Sequence, residues 1–236
     1  MVSKQRVLEY KEWLILQYAV SSVNSILASL NQFLEFMGVD YLKVKRLKMQ
    51  NNLFVNQEKE LTRQEYQRLL QTARNEGKEQ LALCIETIAA TGIRISELKY
   101  FTVEHVRKGR IEIYNKGKYR RVFLAEDIRN KILLFCEGQK IQKGYIFVTK
   151  SGKPKDRSNI WSEMKGLTEK AGVSKEKVFP HNLRHLFARV YYQYTKDLTG
   201  LADLLGHSSL NVTRIYTANT GEVYQEQLNQ IMKLTI

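Results

Sequence analysis

Along most of this chain apolar residues recur every three or four positions, and the pattern changes to strict alternation only once, between Arg110 and Leu124. A helix turns once in about 3.6 residues and a strand alternates every two, so the spacing calls for a mainly α fold carrying one small β-hairpin, an α+β arrangement. Near the start, Tyr18, Val23, Ile26, Leu30, Phe33, Leu34 and Met37 keep helical spacing until Gly38 ends it. Further on, the spacing predicts helices near 62–75, 79–90, 126–136, 157–171, 181–195, 197–205, 209–217 and 222–233, with a short helix from about Ser96. In the alternating stretch Ile111 and Ile113 interleave with Glu112 and Tyr114, giving strands at 110–115 and 120–124 around a turn at Lys116-Gly117-Lys118-Tyr119.

Thr62-Arg63-Gln64-Glu65 reads as a capping box, in which hydroxyl and carboxylate satisfy the free amides of a helix start, and a second domain begins just before it. Ahead of it stand Lys43, Lys45, Arg46 and Lys48 and the polar Gln50-Asn51-Asn52. That is the composition of a linker lying against phosphate, or equally of a solvated charged loop. The organisation expected is a short helical arm with a basic linker over 1–56 and a larger domain over 57–236.

With 236 residues, 43% of them hydrophobic, the chain has the material for a real core. Its 38 Lys and Arg against 24 Asp and Glu leave a formal charge of +14, which draws polyanions and makes nucleic acid the leading partner. Cys84 and Cys136 lie in apolar helical stretches without CxxC spacing, which argues for buried thiols in a reducing cytosol and against a disulfide framework or zinc knuckle. Neither a signal peptide nor a membrane span is expected, since the apolar run near the start, Trp13 to Ile15, is soon interrupted by Gln17.

Four groups of residues carry chemistry. Thr91-Gly92-Ile93-Arg94-Ile95-Ser96-Glu97-Leu98 sets Arg94 just past a glycine suited to end a helix. A guanidinium on so rigid a turn grips two phosphate oxygens while Glu97 orients it; a plain Arg–Glu pair joining helices is the competing account. The hairpin tip thrusts out lysines, and a lysine crowded by cations can give its proton to a departing oxygen, although a solvated turn explains the same residues. Pro180-His181-Asn182-Leu183-Arg184-His185 opens a helix whose apolar stripe, Leu183, Leu186, Phe187, Val190, Tyr191 and Tyr194, leaves His181 and Arg184 on a face turned from the core. His181 and His185 have zinc-ligand spacing, but Asn182 stands where the HExxH pattern requires Glu and Arg184 would repel a cation, so no metal is expected. Leu204-Leu205-Gly206-His207 ends a helix, Ser208 or Ser209 caps the next, and Leu210, Val212 and Ile215 anchor it so that His207 and Tyr216 project from supported positions. For most of the 13 tyrosines, half-buried packing is the ordinary account.

In their order and spacing these motifs resemble the tyrosine recombinase family of phage, transposon and chromosome-dimer-resolving integrases, over about residues 57 to 220. The resemblance implies Arg94 and Arg184 as a phosphate-binding pair, His181 and His207 beside them, and Tyr216 as nucleophile. It carries the general-acid lysine to Lys116, with Lys118 as the fallback, because the turn is one residue shorter than the family's Lys-Gly-x-Lys-x-Arg and Phe123 replaces its proline. Arg189 stands where threonine is frequent, and Ala218 where histidine is common. Strand exchange through a 3′-phosphotyrosine and a Holliday junction, with no cofactor, nucleotide or metal, is implied as well. So are double-stranded DNA as substrate, contacted through Lys43, Lys45, Arg46, Lys48 and Lys118, a homotetramer on that DNA, its C-terminal helix either docking on a neighbouring protomer or packing on its own domain, and a cytoplasmic, nucleoid-associated location. The arm is shorter than the family's usual one. Two other activities share these residues: a type IB topoisomerase-like nicking and closing enzyme, and a DNA-binding regulator that has lost catalysis.

Overall fold

A computed structural model describes residues 2–48, 59–115, 118–207, 209–216 and 231–232, the side chains of Asn115 and Lys118 excepted. The chain divides into two compact units, Met1–Asn52 and Leu53–Ile236. In the first, α1 (Lys4–Gln17) starts where the Ser3 hydroxyl accepts from the Arg6 N–H, and α2 (Val20–Phe36) follows directly. Val7 and Leu14 of α1 meet Val23 and Leu27 of α2, and Val44 closes the same apolar cluster. Beyond a 3₁₀ turn at Asp40–Leu42 the chain runs extended beside α2, pinned by two asparagines that lie two helical turns apart on one face. Asn31 accepts from the Val44 N–H at 3.0 Å and donates to its carbonyl at 2.9 Å; Asn24 does the same for Leu47 at 2.7 and 3.0 Å. The basic stretch is therefore fastened along its length, with Lys45, Arg46 and Lys48 exposed. Lys43 differs, being ion-paired to Asp40 at 2.7 Å and Glu35 at 3.0 Å.

The second unit contains, in chain order, α3 (Arg63–Asn75), α4 (Glu79–Thr91), a 3₁₀ helix Ile95–Tyr100, α5 (Val103–Arg107), β1 (Arg110–Asn115), β2 (Lys118–Phe123), α6 (Glu126–Gly138), α7 (Arg157–Lys165), α8 (Thr168–Ala171), α9 (Pro180–Thr195), α10 (Leu198–Leu205) and α11 (Leu210–Thr213), which runs into a 3₁₀ turn Arg214–Tyr216. The capping box before α3 is present: the Thr62 hydroxyl accepts from the Glu65 N–H at 3.1 Å and the Glu65 carboxylate accepts from the Thr62 N–H at 2.8 Å. α4 is buried around most of its girth, with Glu79 and Glu86 marking a narrow polar edge, and α3, α6, α7 and α9 pack around it. The main core extends from Leu61 to Leu183, and a smaller cluster of Ala188, Leu201, Leu205 and Tyr216 forms apart from it. Cys84 and Cys136 are buried free thiols, and among the described residues no helix is long and apolar enough to cross a membrane.

Several expectations shift in register. The ladder pairs Asn115 with Lys118 and Tyr114 with Tyr119, so Lys118 and Tyr119 belong to β2 and only Lys116 and Gly117 intervene. The helix expected over 157–171 is two, because the chain breaks at Gly166 and turns Leu167 fully into the core. α5 is too short to show a period, yet its cap is regular, Thr102 accepting from the His105 N–H. Along α9 the expected apolar stripe fails toward the C-terminus, where Val190 and Tyr194 are exposed. Leu210, Val212 and Ile215 are exposed too, so they do not anchor α11; Thr213 and Tyr216 do. A 3₁₀ turn has three residues per turn and stacks positions three apart, which carries Tyr216 inward behind Thr213. The helix expected over 222–233 lies outside the described residues except for Ile231 and Met232, which are helical.

Candidate active site

The site begins at the end of α4. Gly92 takes the left-handed conformation, φ +63°, and a Cβ there would stand 2.3 Å from Phe187 Cδ1 and 2.9 Å from Leu205 Cδ2. Only glycine fits, and it delivers Arg94 to the start of the 3₁₀ helix. Glu97, 2% exposed, accepts from the Arg94 N–H at 2.7 Å and from its guanidinium at 3.3 Å, while the Arg94 side chain stays 43% exposed. The same carboxylate is ion-paired with Arg120, whose Nη1 donates to the Leu204 carbonyl at 2.6 Å. The Glu97 carboxylate is thus shared between Arg94 and Arg120, and it leaves the Arg94 side chain half exposed.

Arg184 departs from its expected place on a face away from the core. It is 1% exposed, donating through Nη1 to the Gly92 carbonyl at 2.6 Å and through Nη2 to the Leu205 carbonyl at 2.8 Å. Carbonyls at two helix ends carry partial negative charge, which is why a guanidinium is stable there. Burial, then repulsion from Arg94 and Arg120, lowers its pKa to about 10, so it remains charged at neutral pH. Its buried Nε has no hydrogen-bond partner among the described residues.

His207 follows Gly206 at the end of α10, its N–H returning to the Ala202 carbonyl at 3.0 Å. Nε2 lies 2.9 Å from Arg184 Nη2 and Nδ1 lies 2.9 Å from the Thr213 hydroxyl. Tyr216, expected to project, is 8% exposed, its ring 5.2 Å from that of His185 and 6.5 Å from that of His207. Burial pushes the phenol pKa up, and the charges of Arg184 and Arg94 pull it back. His181 is exposed and meets His185 edge-on at 4.4 Å. Desolvation first, and the charges of Arg184, Arg94 and Arg157 after it, hold the His181 pKa below its usual value.

A cleft of about 520 Å³ is lined by Arg94, His181 and Arg184 and, from α7, by Arg157, Trp161 and Lys165. His207 and Tyr216 do not line it but adjoin it, His207 through Arg184 and Tyr216 through the His185 and His207 rings. Lys116 lies outside the described residues, and of Lys118 only the backbone is described, as the first residue of β2. Sequence reasoning missed Arg120 and the α7 residues. For Arg120 the signal was available: directly paired strand residues share a face, and Arg120 is paired with the buried Ile113. An arginine on the apolar face of a strand is a flag in itself. The α7 residues carry no such mark in a helix of ordinary composition.

Residues 59–222, well over half of the chain, match the model of the phage integrase family. The chain belongs to the phage integrase family. This integrase-family chain is 31% identical to the tyrosine recombinase XerA of Thermococcus kodakarensis over 92% of its own length and 78% of that protein. To the tyrosine recombinase XerD of Vibrio cholerae it is 29% identical, over 94% and 78%. The XerH site-specific recombinase, in a post-cleavage complex with a palindromic difH substrate, has the same fold, with a TM-score of 0.73 across 96% of this chain and 72% of that one at 21% identity. The integrase is thus a site-specific tyrosine recombinase, an enzyme of DNA strand breakage and rejoining, as its motifs implied. Its mainly helical catalytic unit with one two-stranded antiparallel sheet is the fold class expected.

Proposed function

We propose that this recombinase cuts duplex DNA through a 3′-phosphotyrosine bond on Tyr216 and exchanges strands through a Holliday junction. The observation that supports this most is a buried phenol set among cations contributed by positions 94 and 184. At neutral pH only about one tyrosine in a thousand is phenolate, so attack on a phosphodiester needs a base and compensating positive charge. Arg184 offers its unmatched Nε–H and Arg94 its half-exposed guanidinium to the non-bridging oxygens, where each preorganised donor is worth about 2.7–4 kcal/mol in a dry site. As the Tyr216 oxygen–phosphorus bond forms, the phosphorus–5′-oxygen bond breaks. The phenol proton goes to neutral His181, and the departing oxygen takes a proton from Lys116, with Lys118 in reserve. A 5′-hydroxyl from another strand reverses the step, and because the bond energy is kept, no nucleotide is consumed.

The resting site is closed in two respects: Tyr216 is buried, and His207 Nε2 accepts from Arg184 instead of donating to a phosphate. Binding of DNA has to open both. The first unit serves as the DNA-gripping arm, with Lys45, Arg46 and Lys48 toward phosphate, and four protomers assemble on two duplexes in the cytoplasm, joined through the C-terminal segment. The test uses a pool of nicked suicide duplexes with randomised sites, incubated with protein in chelator. Wild type is expected to yield a denaturation-resistant adduct, and Tyr216→Phe to bind without forming one. Binding by wild type with no adduct would favour the regulator; plasmid relaxation with no junctions would favour the topoisomerase-like enzyme.

A further inference from the structure

We infer that Arg120 is a positioning residue of this site, a clamp that fixes the β-hairpin, and with it the proton-donating lysine of the tip, against the turn bearing Arg94 and the corner bearing His207. The inference rests on the role proposed for that lysine. One planar guanidinium joins three distant segments: it belongs to β2, its Nη2 is paired with Glu97 beside Arg94, and its Nη1 donates to the Leu204 carbonyl at the end of α10. The fork geometry of arginine allows two acceptors to be held in fixed directions, and the C-terminal carbonyl of a helix is an electron-rich one.

Two further observations single this residue out. Among the described residues the sheet has two strands, and an isolated hairpin is marginal in water, so what β2 grasps decides how the hairpin is held. Val122, opposite Ile111, holds the hairpin to the core; Arg120, 13% exposed in its side chain, is the next residue toward the tip on that face and holds it to the site. The passage of its stem is also built in. A Cβ on Gly206 would stand 2.6 Å from Arg120 Cδ, so the residue before His207 has to be small for Arg120 to reach Leu204. Arg121, its neighbour on the outer face, meets exposed partners, Glu112 at 3.9 Å and the Tyr119 hydroxyl at 3.4 Å.

The test separates positioning of a proton donor from general support of the fold. Arg120→Lys keeps a cation for Glu97 but cannot hold both acceptors in the fork geometry. Single-turnover adduct formation is measured on a cognate suicide duplex recovered from the randomised pool. A second duplex has the scissile 5′-oxygen replaced by sulfur, whose thiolate leaves without a proton. On the oxygen duplex R120K is expected to be slower by on the order of 10- to 100-fold, with unchanged DNA affinity; on the sulfur duplex the deficit should shrink to about threefold or less. K116A and K118A are the references. If one of them gains from sulfur and R120K does not, the clamp is overturned while the lysine role stands. If neither lysine variant gains, the lysine role fails and the clamp with it. An R120K that cleaves both duplexes at the wild-type rate also overturns the clamp. R120Q, which can still donate one bond to the Leu204 carbonyl, provides the same comparison if R120K does not fold.

Discussion

His207 is held as a neutral imidazole by two neighbours at once. Arg184 can only donate, so Nε2 accepts, the ring proton sits on Nδ1, and that N–H donates to the Thr213 hydroxyl. Thr213→Val keeps the shape and leaves the Nδ1–H without a partner, at a cost of about 1–3 kcal/mol. Denaturant unfolding should show that loss, and single-turnover cleavage should slow, because the ring is then free to turn. A pH dependence follows as well. Burial, and after it the neighbouring charges, hold His185 and His207 at about 4, below the ordinary 6.5. Between pH 6.5 and 4 the unfolded chain therefore binds protons that the folded chain refuses, so stability is full above about 6.5 and declines as pH falls toward 4. Melting temperature against pH should show this slope, flattened in H185N/H207N; an unchanged slope would contradict it. Arg94, His181, Arg184, His207 and Tyr216 were legible as candidates because each stood in a motif, whereas Arg120, Arg157 and Lys165 were passed over. The burial of Arg184 was not, since its acceptors are the carbonyls of Gly92 and Leu205, far away in sequence.

Among the elements, the end of α4 fixes most. Gly92 is constrained by its positive φ, by contact with Phe187 and Leu205, and by the bond from its carbonyl to Arg184. Gly92→Ala is expected to destabilise the protein by about 2–4 kcal/mol from strain and overpacking, read in chemical unfolding, and to depress cleavage in whatever fraction stays folded. Helix existence was legible wherever a cap and a long period agreed, as in α3 and α4. Phase was not, where an element is short: α11 has four residues before its 3₁₀ turn, and over so few positions apolar spacing does not say which side faces in. That is why Leu210, Val212 and Ile215 read as anchors when Thr213 and Tyr216 fill that place. The hairpin register had a similar ambiguity, resolved by the pairing of Asn115 with Lys118.

For the whole molecule, a formal charge of +14 says that DNA affinity falls steeply with salt, and the ion pairs say which lysines contribute. Lys45→Ala and Arg46→Ala should each lower the slope of log affinity against log salt by about 0.9, one phosphate contact apiece. Lys43→Ala should change it little, since Glu35 and Asp40 already occupy that ammonium. Equal effects at all three positions would show that the pairing does not persist on DNA. The two-unit organisation shows in the sequence as a capping box after a basic stretch, while the fastening of that stretch by Asn24 and Asn31 left no pattern, because a polar residue on a helix has many other reasons to be there. The central step is the bonding of the Tyr216 oxygen to phosphorus. The most direct measurement is mass spectrometry of the adduct trapped on a suicide duplex, after nuclease and protease digestion, with fragmentation that separates Tyr216 from Tyr224. A nucleotide mass on Tyr216 is the predicted result; the same mass on any other residue would contradict the account.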